Sequence, residues 1–224
     1  MLLNFYVCTI VAAQGDSSES KLATINVFVT DMKGKPTKGE QILFKGEAGQ
    51  KTTSGISNAE GKFSLQVLPG DKYIITVKSI TDSTKYGSIT IPALGPDEFY
   101  TAPFKVNVKF EAARTYTLDN VHFDFGKATL RPDSFAELEE LVSYLKRKED
   151  IKVEIAGHTD NVGKEEDNLK LSQQRADAIR NYVIKKGIQP ARVVAKGYGA
   201  AEPVTDNDTD KGRQLNRRTE VRIL

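Results

Sequence analysis

The 224-residue chain has one cysteine, no tryptophan and two histidines. A single thiol, Cys8, excludes an intrachain disulfide and any zinc site built on two or more cysteines. No charge of one sign dominates: 32 Lys and Arg stand against 30 Asp and Glu, a formal +2. Before Thr115 there are 13 basic and 11 acidic residues, and from Thr115 onward 19 of each. Neither half carries the basic excess that bulk attraction to a phosphate backbone requires, so no nucleic-acid partner is expected. Charged residues at 28% beside 39% hydrophobic exclude a disordered tail and a multi-span membrane protein. No G-x-S-x-G elbow and no Walker A loop occur. Gly197-Tyr198-Gly199 begins like a dinucleotide fingerprint, but Glu202 stands where the third small residue belongs. The length allows one large domain or two small ones.

What is present begins with an apolar stretch, Leu2 to Ala13 (LLNFYVCTIVAA), which is well short of the ~20 residues that span a bilayer. It reads as a secretion signal over residues 1–13, with cleavage before Gln14, where Val11-Ala12-Ala13 gives small or modest residues at the −3 and −1 positions. Its n-region has no Lys or Arg. The bulky Phe5-Tyr6-Val7 before Cys8 does not fit a lipobox. A buried amino-terminal strand is the alternative reading. The polar run QGDSSESK over 14–21 reads as a linker and detaches the stretch from the rest of the chain.

Over residues 22–110 apolar residues recur with period two. Ile25/Val27/Val29, Ile42/Phe44, Phe63/Leu65/Val67, Tyr73/Ile75/Val77, Ile89/Ile91 and Phe104/Val106/Val108/Phe110 each predict a strand with one inward face. Turn residues separate them, among them Lys33-Gly34-Lys35-Pro36, Asn58-Ala59-Glu60-Gly61 and Pro69-Gly70-Asp71. Six or seven short strands with no helical period predict an all-β sandwich. The order VTDMKGKPTKGEQILFKG, then SNAEGKFSLQVLPGDKYIITV, resembles the carboxypeptidase-regulatory-like and transthyretin-like domains. No clustered acids at ligand spacing, no His and no Cys lie here, so the expectation is a spacer or an interaction module.

After a linker over 111–115 the period changes, and residues 116–224 alternate strand and helix. Val121/Phe123/Phe125 predict a strand, Pro132 to Lys148 a helix, and Ile151/Val153/Ile155 a strand ending at Gly157. A second helix is predicted from about Leu169 to Lys186, with Gly187 to stop it. Arg192–Tyr198 and Thr219/Val221/Ile223 predict the last strands. The fold class is therefore two domains, an all-β sandwich and then a two-layer α/β sandwich of order βαβαβ-β with helices on one face of the sheet.

Five blocks in this half are similar to the OmpA-like carboxyl-terminal domain. They are Phe123-Asp124-Phe125-Gly126-Lys127-Ala128, Gly157-His158-Thr159-Asp160-Asn161-Val162-Gly163, Asn168 to Ala176 (NLKLSQQRA), Gly197-Tyr198-Gly199 and Asn216-Arg217-Arg218. The family includes peptidoglycan-associated lipoproteins and the periplasmic part of flagellar motor stators. The resemblance implies non-catalytic binding of peptidoglycan through the diaminopimelate of its stem peptide, without cofactor or metal, in the periplasm or at the outer membrane of a Gram-negative bacterium. It places Asp160 on the ligand's ammonium and Arg175 on its carboxylate, where a guanidinium fork can take both oxygens. Asn168 and Arg217 match further polar contacts, and Thr159 lies at the pocket edge. Gly126 departs from the pattern, since many members have Asn there.

Arg175 is expected in the first turns of its helix, where the helix end adds positive potential for an anion. The alternative is structural: Asp160 paired with Arg175 or with Arg217 in a fold-stabilising network. His158 is expected to hydrogen-bond a neighbouring strand or loop. His158-x-Asp160 lacks a further ligand at metal spacing. The rivals to wall binding are a hydrolase acting on the same polymer, a stator-type component that needs a full membrane helix, and an anchored adhesion protein whose first domain binds another envelope protein.

Overall fold

The computed structural model describes residues 5–6, 10–12, 21–81, 83–124 and 126–224, of which 5–6 and 10–12 are described in backbone only. The chain divides into two compact units, Met1–Ala112 and Ala113–Leu224. The signal and linker readings of 1–13 and 14–21 fall largely outside the described residues, with Cys8 and Gln14. Their described backbone is β1 (Phe5–Tyr6) and β2 (Ile10–Ala12).

The first unit continues with β3 (Ala23–Thr30), β4 (Gln41–Gly46), β5 (Thr52–Ile56), β6 (Lys62–Val67), β7 (Lys72–Lys78), β8 (Ser83–Thr90), β9 (Glu98–Tyr100) and β10 (Phe104–Lys109). Two four-stranded sheets form, in the orders β1-β10-β3-β6 and β5-β4-β7-β8, beside the pair β2-β9. The period-two alternation does what it should: Ile25, Val27 and Val29 are buried on one side of β3 while Asn26 is exposed. Both large sheets feed one hydrophobic cluster that includes Ile25, Val106, Phe44 and Ile75. Each such side chain contributes roughly 1.5–3 kcal/mol on burial. The turns are closed by side chains. Asp31 Oδ1 accepts from the backbone N–H of Lys33 and Lys35, and Asn58 Oδ1 from those of Glu60 and Lys62. β10 runs parallel to β3. Parallel neighbours need a long connection, which residues 31–103 supply by building all four strands of the second sheet, and β6 of the first.

The second unit comprises β11 (Thr115–Thr117), α1 (Phe135–Arg147), β12 (Val153–His158), α2 (Glu165–Lys185), β13 (Val193–Gly199), α3 (Asp210–Asn216) and β14 (Thr219–Ile223). The sheet order is β11-β14-β12-β13, with β12 parallel to β13 and antiparallel to β14. Two sequence expectations are corrected here, and one helix that the sequence reading did not include is added. The strand expected at Val121/Phe123/Phe125 is a loop with one isolated bridge, Phe123 to Leu130, and the first strand lies earlier at β11. The loop's hydrogen bonds close on itself: Asp124 N–H donates to Thr129 and Arg131 N–H to His122, while Ser134 Oγ accepts from His122 N–H. Phe125 lies outside the described residues.

Helix α2 begins four residues before Leu169, because Glu165, Glu166 and Asp167 suit the positive end of a helix, a signal that apolar spacing does not carry. The short α3 has no apolar stripe and rests instead on Thr209, whose side chain accepts from Gly212 N–H.

Candidate functional site

Asp160 stands just past β12, and Arg175 lies on α2, the helix that covers β12 and β13. What lets these two elements approach is the absence of side chains. A Cβ on Gly157 would fall 2.4 Å from the carbonyl oxygen of Ser172, and one on Gly197 would fall 2.3 Å from the backbone N of Gln173. The helix answers with polar anchors. Gln173 Oε1 accepts from Gly197 N–H at 2.8 Å, and Ser172 Oγ accepts from Gly199 N–H at 2.9 Å. Three of the five recognisable blocks thus work together as a clamp that fixes α2, and with it Arg175, against the strand that delivers Asp160.

Asp160 is buried, and both carboxylate oxygens are engaged. Oδ1 accepts from Val162 N–H at 3.1 Å and Oδ2 from Arg217 Nη1 at 2.6 Å. Its side chain keeps 12% exposure against 45% for Arg217. Arg175 Nε donates to the Lys127 carbonyl at 3.1 Å, and its guanidinium lies over the Phe123 ring at 5.1 Å from the centroid. No ion pair reaches Arg175 among the described residues. Burial lowers its pKa; Arg217 nearby acts in the same sense, and Asp160 opposes both. One carboxylate and two guanidiniums therefore act on one another across this site.

The other expected residues take different parts. Asn168 is buried, and its Nδ2 donates to the carbonyls of Asp160 at 3.3 Å and Val162 at 3.0 Å. Its amide hydrogens hold the Asp160 loop rather than face outward. Thr159 is buried beside Asp160, its N–H donating to Gly199, and its Oγ1 has no hydrogen-bond partner among the described residues. Gly126 is exposed at φ +67°, in a turn closed by Lys127 N–H to Asp124. That turn presents the Lys127 carbonyl to Arg175. Arg175 is the eleventh residue of α2, about 15 Å from the helix start at ~1.5 Å per residue. The expected help from the helix end is thereby corrected: that potential fades within the first turn.

Phe123, Lys127 and Val162 are site residues that sequence reasoning misses. Phe123 and Lys127 sit in the first recognisable block, but the alternation around Phe123 points to a strand core. Backbone contributions such as those of Lys127 and Val162 leave no mark in a sequence. Asn216 is buried and ties 204–207 together, accepting from Val204 N–H and donating to the Thr205 carbonyl, which sets the approach of Arg217.

His158 is buried. Its ring stacks on Tyr198 at 5.3 Å and 11°, with Nε2 3.4 Å from Arg222 Nη2 and 3.7 Å from Glu220 Oε2. Both residues lie on β14, so the ring meets a neighbouring strand, as expected, and does so through its side chains. Nδ1 has no partner among the described residues. Burial, then Arg218 and Arg222, push its pKa down to about 4 against the pull of Glu220 and Glu202. Glu220 is lowered in turn: burial pushes it up, but hydrogen bonds from Arg222 and Arg218 outweigh that.

Residues 122–217 match the model of the OmpA family and form an OmpA-family domain, within the second unit. Outer membrane porin F of Pseudomonas fluorescens is 41% identical over 104 residues, covering 46% of this chain and 32% of the relative. Outer membrane protein A of Bordetella avium is 38% identical over 124 residues, covering 55% and 60%. Among solved structures, the peptidoglycan-associated lipoprotein from Burkholderia pseudomallei is 29% identical over 50% of this chain and 91% of its own, with a TM-score of 0.44. The chain spans about a third of the porin and three fifths of the outer membrane protein.

Proposed function

We propose that the second unit binds peptidoglycan without cleaving it, through the diaminopimelate of the stem peptide, and so anchors an envelope protein to the cell wall. The observation that carries this reading is the Asp160–Arg217 ion pair on the clamped loop, with Arg175 near enough for both charges to act on it. A diamino acid presents an ammonium and a carboxylate on one carbon. A site for it needs an anion and a cation a few ångströms apart, which surface charges placed at random do not provide. Asp160 takes the ammonium and Arg175 the carboxylate, with the Nη atoms of Arg175 forming the fork. The two sequence relatives named above are outer membrane proteins, which supports a periplasmic or outer-membrane location and fits a leader at 1–13 for export.

The two sheets around one core in the first unit are read as a β-sandwich of the regulatory-like kind. It serves as the spacer or as the surface for another envelope partner. No helix among the described residues is long and apolar enough to cross a membrane.

Incubation of the purified chain with isolated sacculi tests the reading. Co-sedimentation without release of soluble muropeptides is expected. Clearing of the suspension would assign a hydrolase instead, and failure to sediment would remove wall binding altogether.

A further inference from the structure

The charges of the site do not cancel. Asp160 supplies one negative charge, Arg175 and Arg217 two positive ones, and among the described residues these are the charges that act on Arg175. The nearby Asp210 is already held by Arg213, a neutral pair. A single zwitterionic centre satisfies Asp160 and Arg175 and leaves Arg217 over.

Arg217 closes on Asp160, the carboxylate that the ligand's ammonium needs. An arriving ammonium competes for that oxygen. Arg217 is half exposed on its own side, whereas Asp160 is held from behind by the Val162 N–H. The arginine is the partner that yields, and its guanidinium then needs an anion.

We propose that the pocket selects a peptide with a second free carboxylate beside its zwitterionic centre, and that Arg217 is the specificity-determining residue that takes it on leaving Asp160. The inference rests on the peptidoglycan reading and narrows its ligand to stem peptides whose backbone carboxylates are not amidated. An arginine freed from an internal ion pair gains a charge-assisted, geometrically matched bond only if a carboxylate is there. An amide in that place accepts weakly and leaves the cation without a counter-charge.

The test is calorimetric titration of the full chain with two synthetic tripeptides, alanyl-γ-glutamyl-diaminopimelate. In one, the glutamate α-carboxylate and the peptide-chain carboxylate of diaminopimelate are free. In the other, both are primary amides, and the zwitterionic end is intact in each. For the wild type, amidation is expected to weaken binding about tenfold, equivalent to about 1.4 kcal/mol. In Arg217→Gln, with folding checked by thermal unfolding, the two peptides should bind within about twofold of each other. That variant should also bind the amidated peptide at least as tightly as the wild type does, since its Asp160 has lost the internal competitor. Arg217→Lys, which keeps the charge without the fork, should show an intermediate discrimination. Equal affinity of the wild type for both peptides, or the same amidation penalty in Arg217→Gln, overturns the inference while wall binding stands. If neither peptide binds the wild type, the peptidoglycan reading fails and takes this inference with it.

Discussion

In the first unit three polar or charged residues are buried among those described, Thr30, Glu40 and Ser57; in the second unit there are ten, among them His158, Thr159, Asp160, Asn168, Ser172, Asn216 and Glu220. Both units are of similar length and each has its apolar core. The difference lies in what is demanded of them. A buried polar group costs free energy unless its hydrogen bonds are met, so a unit that only has to fold keeps few. In the second unit several of them hold a loop that carries a carboxylate against a helix that carries a guanidinium. Ser172, Gln173, Asn168 and Asn216 do that holding, and each bonds backbone on a neighbouring element or loop. Stability in the first unit resides in alternating apolar side chains, whereas precision in the second resides in polar side chains bonded to backbone.

The largest effect that can separate the two is loss of a core ring in the first. Phe44 is fully buried between the sheets, and Phe44→Ala should destabilise the first unit by about 3–5 kcal/mol. Sacculus binding by the surviving second unit should be unchanged. A proteolysis time course with co-sedimentation of the products measures both. Loss of binding in step with unfolding of the first unit would break the division of labour.

The converse substitution removes a charge from the site. Asp160→Ala or Arg175→Ala should each lower affinity for the wall peptide by about 2–5 kcal/mol, since each leaves one ligand charge without its partner. Circular dichroism should remain that of the wild type. Sedimentation with sacculi at unaltered affinity in both variants would move the site elsewhere.

These two experiments also show how unevenly the molecule can be read from its sequence. The strands of the first unit are legible because period two states which side chains turn inward, and Phe44 is where that pattern puts it. The pairing of β10 with β3 is not, because alternation says nothing about which strand lies beside which. In the second unit Asp160 pairs with Arg217, as the structural alternative has it, and both charges act on Arg175. The loop at 121–125 imitates a strand, because three alternating residues do not distinguish one from an irregular segment whose hydrogen bonds close locally. The start of α2 is hidden because its first turn is acidic. Asn168 has the residue type of a ligand contact, yet its amide is on the loop; type alone does not say which of two acceptors a buried amide meets.

A third experiment sharpens the contrast through pH. His158 in the second unit has its pKa lowered from 6.5 to about 4 by burial and by Arg218 and Arg222. The folded state therefore binds fewer protons at this ring than the unfolded state does. The ring's own contribution to stability is complete above about pH 6.5, is lost as pH drops through the window, and changes no further below about pH 4, for a total of about 3 kcal/mol. The described residues of the first unit contain no histidine, so its unfolding should be flat between pH 7 and pH 5 while that of the second declines. His158→Phe, which keeps the stack on Tyr198, should remove most of the slope. Thermal unfolding across that pH range, measured with and without the substitution, checks it. A slope that survives the substitution would assign it to other groups.

The smallest expected change lies at Gly126, where the chain departs from the asparagine of many OmpA-like domains. The departure looks like a lost ligand contact, but the backbone gives it another basis. At φ +67° the residue sits in the left-handed region, where glycine is unstrained and asparagine is the side chain best tolerated after it. A Cβ there would meet nothing within 4 Å among the described residues. Both residues therefore serve the turn that brings the Lys127 carbonyl to Arg175, and the difference between them is confined to the added amide. Gly126→Asn should leave the stability of the fold within about 1 kcal/mol of the wild type, while Gly126→Val, β-branched and unsuited to this region, should cost more. If the amide reaches the ligand, affinity for the stem peptide should rise by about 0.5–1.5 kcal/mol, the net worth of one hydrogen bond. If affinity does not change while stability is kept, the position belongs to the scaffold of Arg175 alone. It would then side with Ser172 and Gln173 and with the glycines they pack on, Gly157 and Gly197, positions that build the site without touching what it binds.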